Sequence, residues 1–173
     1  MHPSVAPLAA IFDLDTDLLL NCLDGLTEEE ARRRLPGGGN SIAFLAAHLA
    51  DTRHFIANRL GHPLHNPLSP FLADARSIDE VRSLPPLDRI RDVWLAVSDH
   101  LASVLEGLTA EDLARTGVHR FPMADPTALG FLAFLAQHDA YHVGQAAFVR
   151  RQLGLPAMSY SRGSRSGAPA PTP

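Results

Sequence analysis

The stretch Phe131-Leu-Ala-Phe-Leu-Ala-Gln-His-Asp-Ala-Tyr-His-Val-Gly-Gln-Ala-Ala-Phe-Val-Arg-Arg-Gln-Leu153 reads as one long helix carrying two histidines. His138 and His142 are four positions apart, so at about 3.6 residues per turn their side chains leave one face of the helix, about 40° apart. The same stripe holds Phe131, Leu135, Gln145 and Val149, which turns both imidazoles inward. Inward imidazoles need partners. A pair of them on an apolar stripe suits a metal ion, with hydrogen-bonded core histidines as the plainer alternative. A zinc-type centre takes at least three protein ligands, so the third has to come from elsewhere in the chain.

Upstream, Asn40 or Ser41 caps a second long helix that runs to about Leu60. Its apolar stripe passes through Phe44, Leu45, His48, Thr52 and Phe55, so His48 points with the core residues. His54, six residues on and about 240° round, falls on another face. A first helix covers Leu8 to about Leu23 through Leu8, Ile11, Phe12, Leu18, Leu19 and Cys22, with Asp13, Asp15 and Asp17 as its solvated side. A third starts weakly at residues 77–83, breaks at Pro85-Pro86, and continues through Ile90, Trp94, Val97, Leu101, Leu105 and Leu108. His100 lies at the edge of that stripe. Thr27 followed by Glu30 has the pattern of a capping box and marks a short helix, and residues 107–114 form a second capped turn. The Pro-rich crossover of residues 61–75 carries His62 and His65, and the loop of residues 116–126 carries His119. These three are expected away from any ligand set. Gly154 reads as the C-cap of the last helix, and residues 159–173 read as disordered from composition.

The two halves of the chain echo each other. Asp24-Gly-Leu-Thr-Glu-Glu-Glu-Ala31 is similar to Glu106-Gly-Leu-Thr-Ala-Glu-Asp-Leu113, and Ala43-Phe-Leu-Ala-Ala-His48 to Ala133-Phe-Leu-Ala-Gln-His138. Each half runs long helix, capped turn, Gly/Pro break, long helix. The expected architecture is all-α, a four-helix bundle of two pseudo-symmetric helix pairs joined by the crossover. That symmetry brings His48 toward His138 and His142, and so supplies the third ligand.

Composition bounds the rest. The 173 residues suffice for a single domain with a real core, and 46% are apolar. No apolar run reaches the roughly 18–20 residues of a membrane span, and no signal pattern opens the chain, so no membrane partner and a cytoplasmic location are expected. One cysteine, Cys22, excludes an intrachain disulfide and sits among leucines as a small buried hydrophobe. All 15 basic residues are arginine, which removes Schiff-base and P-loop lysine chemistry. Net charge is −4 and the only basic cluster, Arg32-Arg33-Arg34, is expected to face solvent, so nucleic acid is not an expected partner.

Several of these residues resemble the DinB superfamily, the DinB/YfiT-like metalloenzymes. The likeness is carried by Gly38-Gly-Asn-Ser-Ile42, by Ala46-Ala-His48-Leu-Ala50, and by His138-Asp-Ala-Tyr-His142-Val-Gly-Gln145 followed by Arg150-Arg-Gln-Leu-Gly154. It covers residues 1–156 as a DinB-like bundle and leaves residues 157–173 as a Ser/Gly/Pro/Arg-rich tail. The resemblance implies one divalent metal, zinc or nickel, held by His48, His138 and His142. It also implies a homodimer and, in some relatives, transfer of a low-molecular-weight thiol such as mycothiol or bacillithiol.

Three neutral imidazoles leave coordination positions open, as catalytic sites do. Gln145 and Tyr141 are candidates for orienting a ligand, and Asp51 and Asp139 for tuning the histidines. The alternative for Tyr141 is packing, and for the two aspartates solvated helix surface. Three functions fit: metal-dependent transfer of a thiol to an electrophilic small molecule, hydrolysis with metal-bound water as nucleophile, and a non-catalytic metal-containing stress-response role.

Overall fold

The computed structural model describes residues 1–72, 77–118 and 120–161. His119 and the tail from residue 162 onward lie outside them. The long helices and the two capped turns follow from local signals already visible. Ser41 Oγ accepts from the Phe44 amide at 3.2 Å and starts α3 (Ile42–Arg59), and Thr127 accepts from the Gly130 amide and starts α7 (Ala128–Gln152). Capping boxes at Thr27/Glu30 and Thr109/Asp112 open the short helices α2 (Glu28–Arg32) and α6 (Ala110–Ala114). The long helices α1 (Ala6–Leu23) and α5 (Leu87–Gly107) begin beside prolines, where a missing N–H costs nothing. The crossover is not wholly irregular: α4 (Ser69–Leu72) and a 3₁₀ turn at Ile78–Glu80 interrupt it.

Among the described residues the fold is all-helical, with one isolated β-bridge between Thr116 and Thr127. Each long helix packs on two others: α3 on α5 and α7, and α1 on α7 and α5. Among the described residues no helix is long and apolar enough to cross a membrane. Side chains such as Leu19, Leu45, Leu101, Trp94 and Phe131 are sealed from solvent, each stabilising the fold by roughly 1.5–3 kcal/mol relative to exposure.

The apolar core is split. One cluster gathers Leu18, Leu19, Leu45, Leu49, Trp94, Val143 and Val149. The other gathers Phe12, Ile56, Leu101, Leu105, Phe131, Leu132 and Leu135. Between them runs a polar layer with a contribution from every long helix: Asp15 and Thr16 from α1, Arg53 from α3, Ser98 from α5 and Asp139 from α7, all buried. Arg53 stitches the layer together. Its Nε donates to Asp139 Oδ2 at 2.9 Å, one terminal nitrogen to Thr16 Oγ1 at 2.7 Å and Ser98 Oγ at 2.6 Å, and the other to the Phe12 carbonyl at 2.8 Å. The guanidinium also lies 3.8 Å from the centre of the Trp94 ring.

This layer corrects several expectations. Asp15 and Asp17 are not solvated but only 4% and 2% exposed, because the second half of α1 is covered on several sides by α5 and α7. Asp139 is completely buried rather than on the helix surface, since α7 packs on both α1 and α3. Conversely Ile11 and Phe55, placed on inward stripes, are 40% and 38% exposed. The chain beyond α7 is partly tied down: Arg150 bonds the Pro156 carbonyl at 2.7 Å, and Asn21 Nδ2 donates to the carbonyls of Ser159 and Ser161 at 2.7 and 2.8 Å. Gly154, at a φ of 79°, ends α7 in the left-handed conformation expected of its cap.

Candidate metal centre

His48 leaves α3 and His138 and His142 leave α7, so the packing of these two helices is what assembles the site. One ring nitrogen from each histidine lies within 4.8 Å of the other two. His48 Nε2 and His138 Nε2 are 3.2 Å apart. Nitrogens about 2.0–2.1 Å from one tetrahedral ion stand about 3.3–3.4 Å apart, so this pair already has the separation a shared ion imposes. All three histidines are half-buried, which leaves the cluster open on one side. Phe44 stacks parallel to His48 at 6.0 Å between ring centres, and Tyr141 meets His142 edge-on at 5.2 Å.

Burial keeps two of the three rings neutral. Burial lowers the His48 pKa to about 4, helped by the neighbouring His142 and His138, while the charge of Asp139 opposes the shift. Burial also lowers that of His142, against the opposing hydrogen bond to Gln145. Near neutrality both rings therefore present lone pairs, which a cation needs. His142 Nδ1 lies 2.8 Å from Gln145 Oε1. An amide oxygen only accepts, so the proton sits on Nδ1 and the lone pair on Nε2.

Behind the histidines, Asp139 Oδ1 and His138 Nδ1 are both buried without a hydrogen-bond partner among the described residues. They are 3.7 Å apart, an ion-pair distance but too long for a hydrogen bond. Asp15 Oδ2 is likewise unpartnered, and burial first, then the charge of Asp139, raises the Asp15 pKa to about 7 against the pull of Arg53.

The other residues singled out from sequence fall as follows. Gln145 is at the site, but it bonds a histidine rather than facing open space. Tyr141 is 58% exposed on the outer side of α7. Asp51 Oδ1 accepts from Asn66 Nδ2 at 2.6 Å and so ties α3 to the crossover. His54 turns away from the cluster and bonds the Ala50 carbonyl through Nδ1 at 2.8 Å. His62 and His65 are exposed, and His100 bonds the His62 carbonyl. Arg32, Arg33 and Arg34 are exposed as expected, yet all three bond neighbouring groups. Burial pushes the Cys22 thiol up to about 12, so it is no nucleophile. Sequence reasoning missed Arg53 altogether. A pocket of about 350 Å³ opens between α1 and α5 and reaches Arg53, Thr16 and Ser98; the three histidines do not line it.

The model of the DinB superfamily matches residues 11–146, a span that contains all three histidines and the whole polar layer. The chain belongs to the DinB superfamily. A comparison with curated proteins returns no match. This DinB-superfamily chain has its histidine cluster between α3 and α7, with Gln145 one turn beyond the second α7 histidine.

Proposed function

We propose that His48, His138 and His142 hold one divalent ion, zinc or nickel, and that the protein is a cytoplasmic metal-dependent enzyme acting on a small molecule. The observation that carries this reading is the cluster itself: three imidazole nitrogens within 4.8 Å, two of the rings neutral near pH 7 and one of these fixed in its tautomer by Gln145. A structural zinc site is closed by four protein ligands, whereas three histidines on the open side of two helices leave room for a reactant. A bound ion there supplies Lewis acidity, lowering the pKa of a water or thiol brought to it. The chain's own contribution is to keep His48 and His142 neutral, to orient His142 through Gln145, and to pack Phe44 against the His48 ring.

The favoured reaction is transfer of a low-molecular-weight thiol to an electrophile. Sulfur forms a bond to the electrophilic carbon, the leaving group departs with the bonding pair, and the thiol proton goes to solvent. The half-exposed cluster supports catalysis over a sealed, non-catalytic role. Hydrolysis by water is the second reading, and it is favoured by the uncharged side chains that contact the histidines, Phe44, Tyr141 and Gln145.

The protein is also read as a homodimer. Tyr141 and Phe148, each 58% exposed, stand on the outer side of α7 on either side of Gly144, where an added Cβ would meet nothing. An antiparallel second copy crossing at Gly144 would set Tyr141 of each chain against Phe148 of the other.

Cobalt substitution tests the chemistry. With sulfur entering an open coordination position, mycothiol, bacillithiol or glutathione should produce a charge-transfer band. A cobalt protein spectrally indifferent to all three, but active on esters or amides, would replace transfer with hydrolysis.

A further inference from the structure

Stability alone does not account for the polar layer, since a buried ion pair is commonly matched by apolar side chains of similar volume. Its place is more telling. Asp139 follows His138 directly and turns its carboxylate behind the His138 ring, where Oδ1 and the ring Nδ1 face each other unpartnered at 3.7 Å. One is an acceptor and the other, in one tautomer, a donor. A small rotation of the His138 ring closes the gap to a hydrogen bond.

We propose that Asp139, clamped by Arg53, is a positioning residue that fixes His138 with its proton on Nδ1 and its lone pair on Nε2. This inference rests on the reading of the cluster as a metal site and adds how its first α7 ligand, His138, is oriented. Arg53 makes the carboxylate rigid: it grips Oδ2 at 2.9 Å while three of its other N–H groups are fixed to Thr16, Ser98 and the Phe12 carbonyl on two other helices. The carboxylate therefore cannot swing to another partner, and Oδ1 stays directed at His138. Gln145 serves His142 in the same way through Nδ1. Two different side chains thus impose one tautomer on both α7 histidines, and both Nε2 atoms are left for the ion. Orienting partners of this kind are typically worth 10–100-fold in metal affinity.

Asp139→Asn tests the proposal. The amide oxygen can still accept from Arg53, but the amide N–H₂ then faces His138 Nδ1 and drives the proton to Nε2, the nitrogen the ion needs. Histidine ¹⁵N spectra of the metal-free full chain should show the His138 proton on Nδ1 in the parent and on Nε2 in the variant. Zinc affinity should fall about 10–100-fold while helical content is kept. An unchanged His138 tautomer together with zinc affinity within about twofold of the parent overturns the proposal. If the variant does not fold, the parent protein decides: zinc should bring out a slowly exchanging, downfield His138 Nδ1 proton, and its absence with zinc bound overturns the idea. A parent chain that takes up no zinc sinks the metal reading instead, and the metal-free tautomer then judges the positioning role by itself.

Discussion

Replacing Arg53 with methionine should be among the most destabilising single changes available to this fold. The substitution keeps much of the aliphatic volume but removes the cation that faces Asp139 at 2.9 Å, with the two side chains 1% and 0% exposed. Removing one partner of a buried pair costs about 3–5 kcal/mol, because the remaining charge stays desolvated without compensation. Thr16, Ser98 and the Phe12 carbonyl lose a charged donor, and the Trp94 ring loses the guanidinium 3.8 Å above it. For a chain of this size, about 2–4 °C per kcal/mol converts the loss to a fall in Tm of roughly 6–20 °C. The deficit should also depend on pH. Asp15 is already raised to about 7, and Arg53 is the group holding it down, so its folded-state pKa rises further in the variant. A raised carboxylate costs stability only where it is ionised, so the deficit should be larger at pH 8 than at pH 5. Denaturant melts followed by circular dichroism at both pH values read this directly. Adding Asp139→Leu to Arg53→Met should recover much of the loss, since the stranded charge goes with it. A single-variant loss below about 1 kcal/mol would refute the account of the polar layer.

Further outcomes follow from the site. Gln145→Leu should weaken zinc binding about tenfold without unfolding the protein, measured by competition with a chromophoric chelator. Parent-like affinity would remove Gln145 from the orienting role. Asp15→Asn should stabilise the metal-free protein at pH 8 by on the order of 1 kcal/mol after allowance for solvent screening. That gain should shrink as pH falls from about 7 through the ordinary carboxylate range, because the folded parent then carries its proton. A gain that grows toward acid would contradict the assignment. The histidines pull the other way: with His48 lowered to about 4, the metal-free fold keeps the full benefit of a neutral ring above about pH 6.5 and loses it as pH falls toward 4. Metal affinity should fall over the same range, as protons compete for the ring nitrogens.

The long helices were legible because their signals are local. Capping residues, prolines and apolar periodicity lie within a few positions of each boundary they set, and Ser41, Thr27, Thr109 and Thr127 cap in the structure. The cluster of His48, His138 and His142 was legible because i, i+4 spacing fixes one face of α7 and apolar periodicity turns His48 inward on α3. Arg53 was not legible. An arginine between Thr52 and His54 looks like one more surface cation, and only the packing of α3 on α5 and α7 shows it crossing the core. Asp139 failed for a related reason: it leaves α7 about 100° away from His138, on a side that periodicity assigns to solvent and the presence of α1 makes interior. The one signal available was the interruption of apolar blocks at Thr16, Arg53, Ser98 and Asp139. Those breaks align only when the four helices are laid side by side.

The most direct test of the central claim is the metal content of the purified full chain after loading with zinc and removal of excess. The account predicts about one ion per chain for the parent, and loss of stoichiometric metal in His48→Ala, His138→Ala and His142→Ala while helical content persists. A parent chain that retains no ion, or a His142→Ala protein that retains a full one, would contradict it.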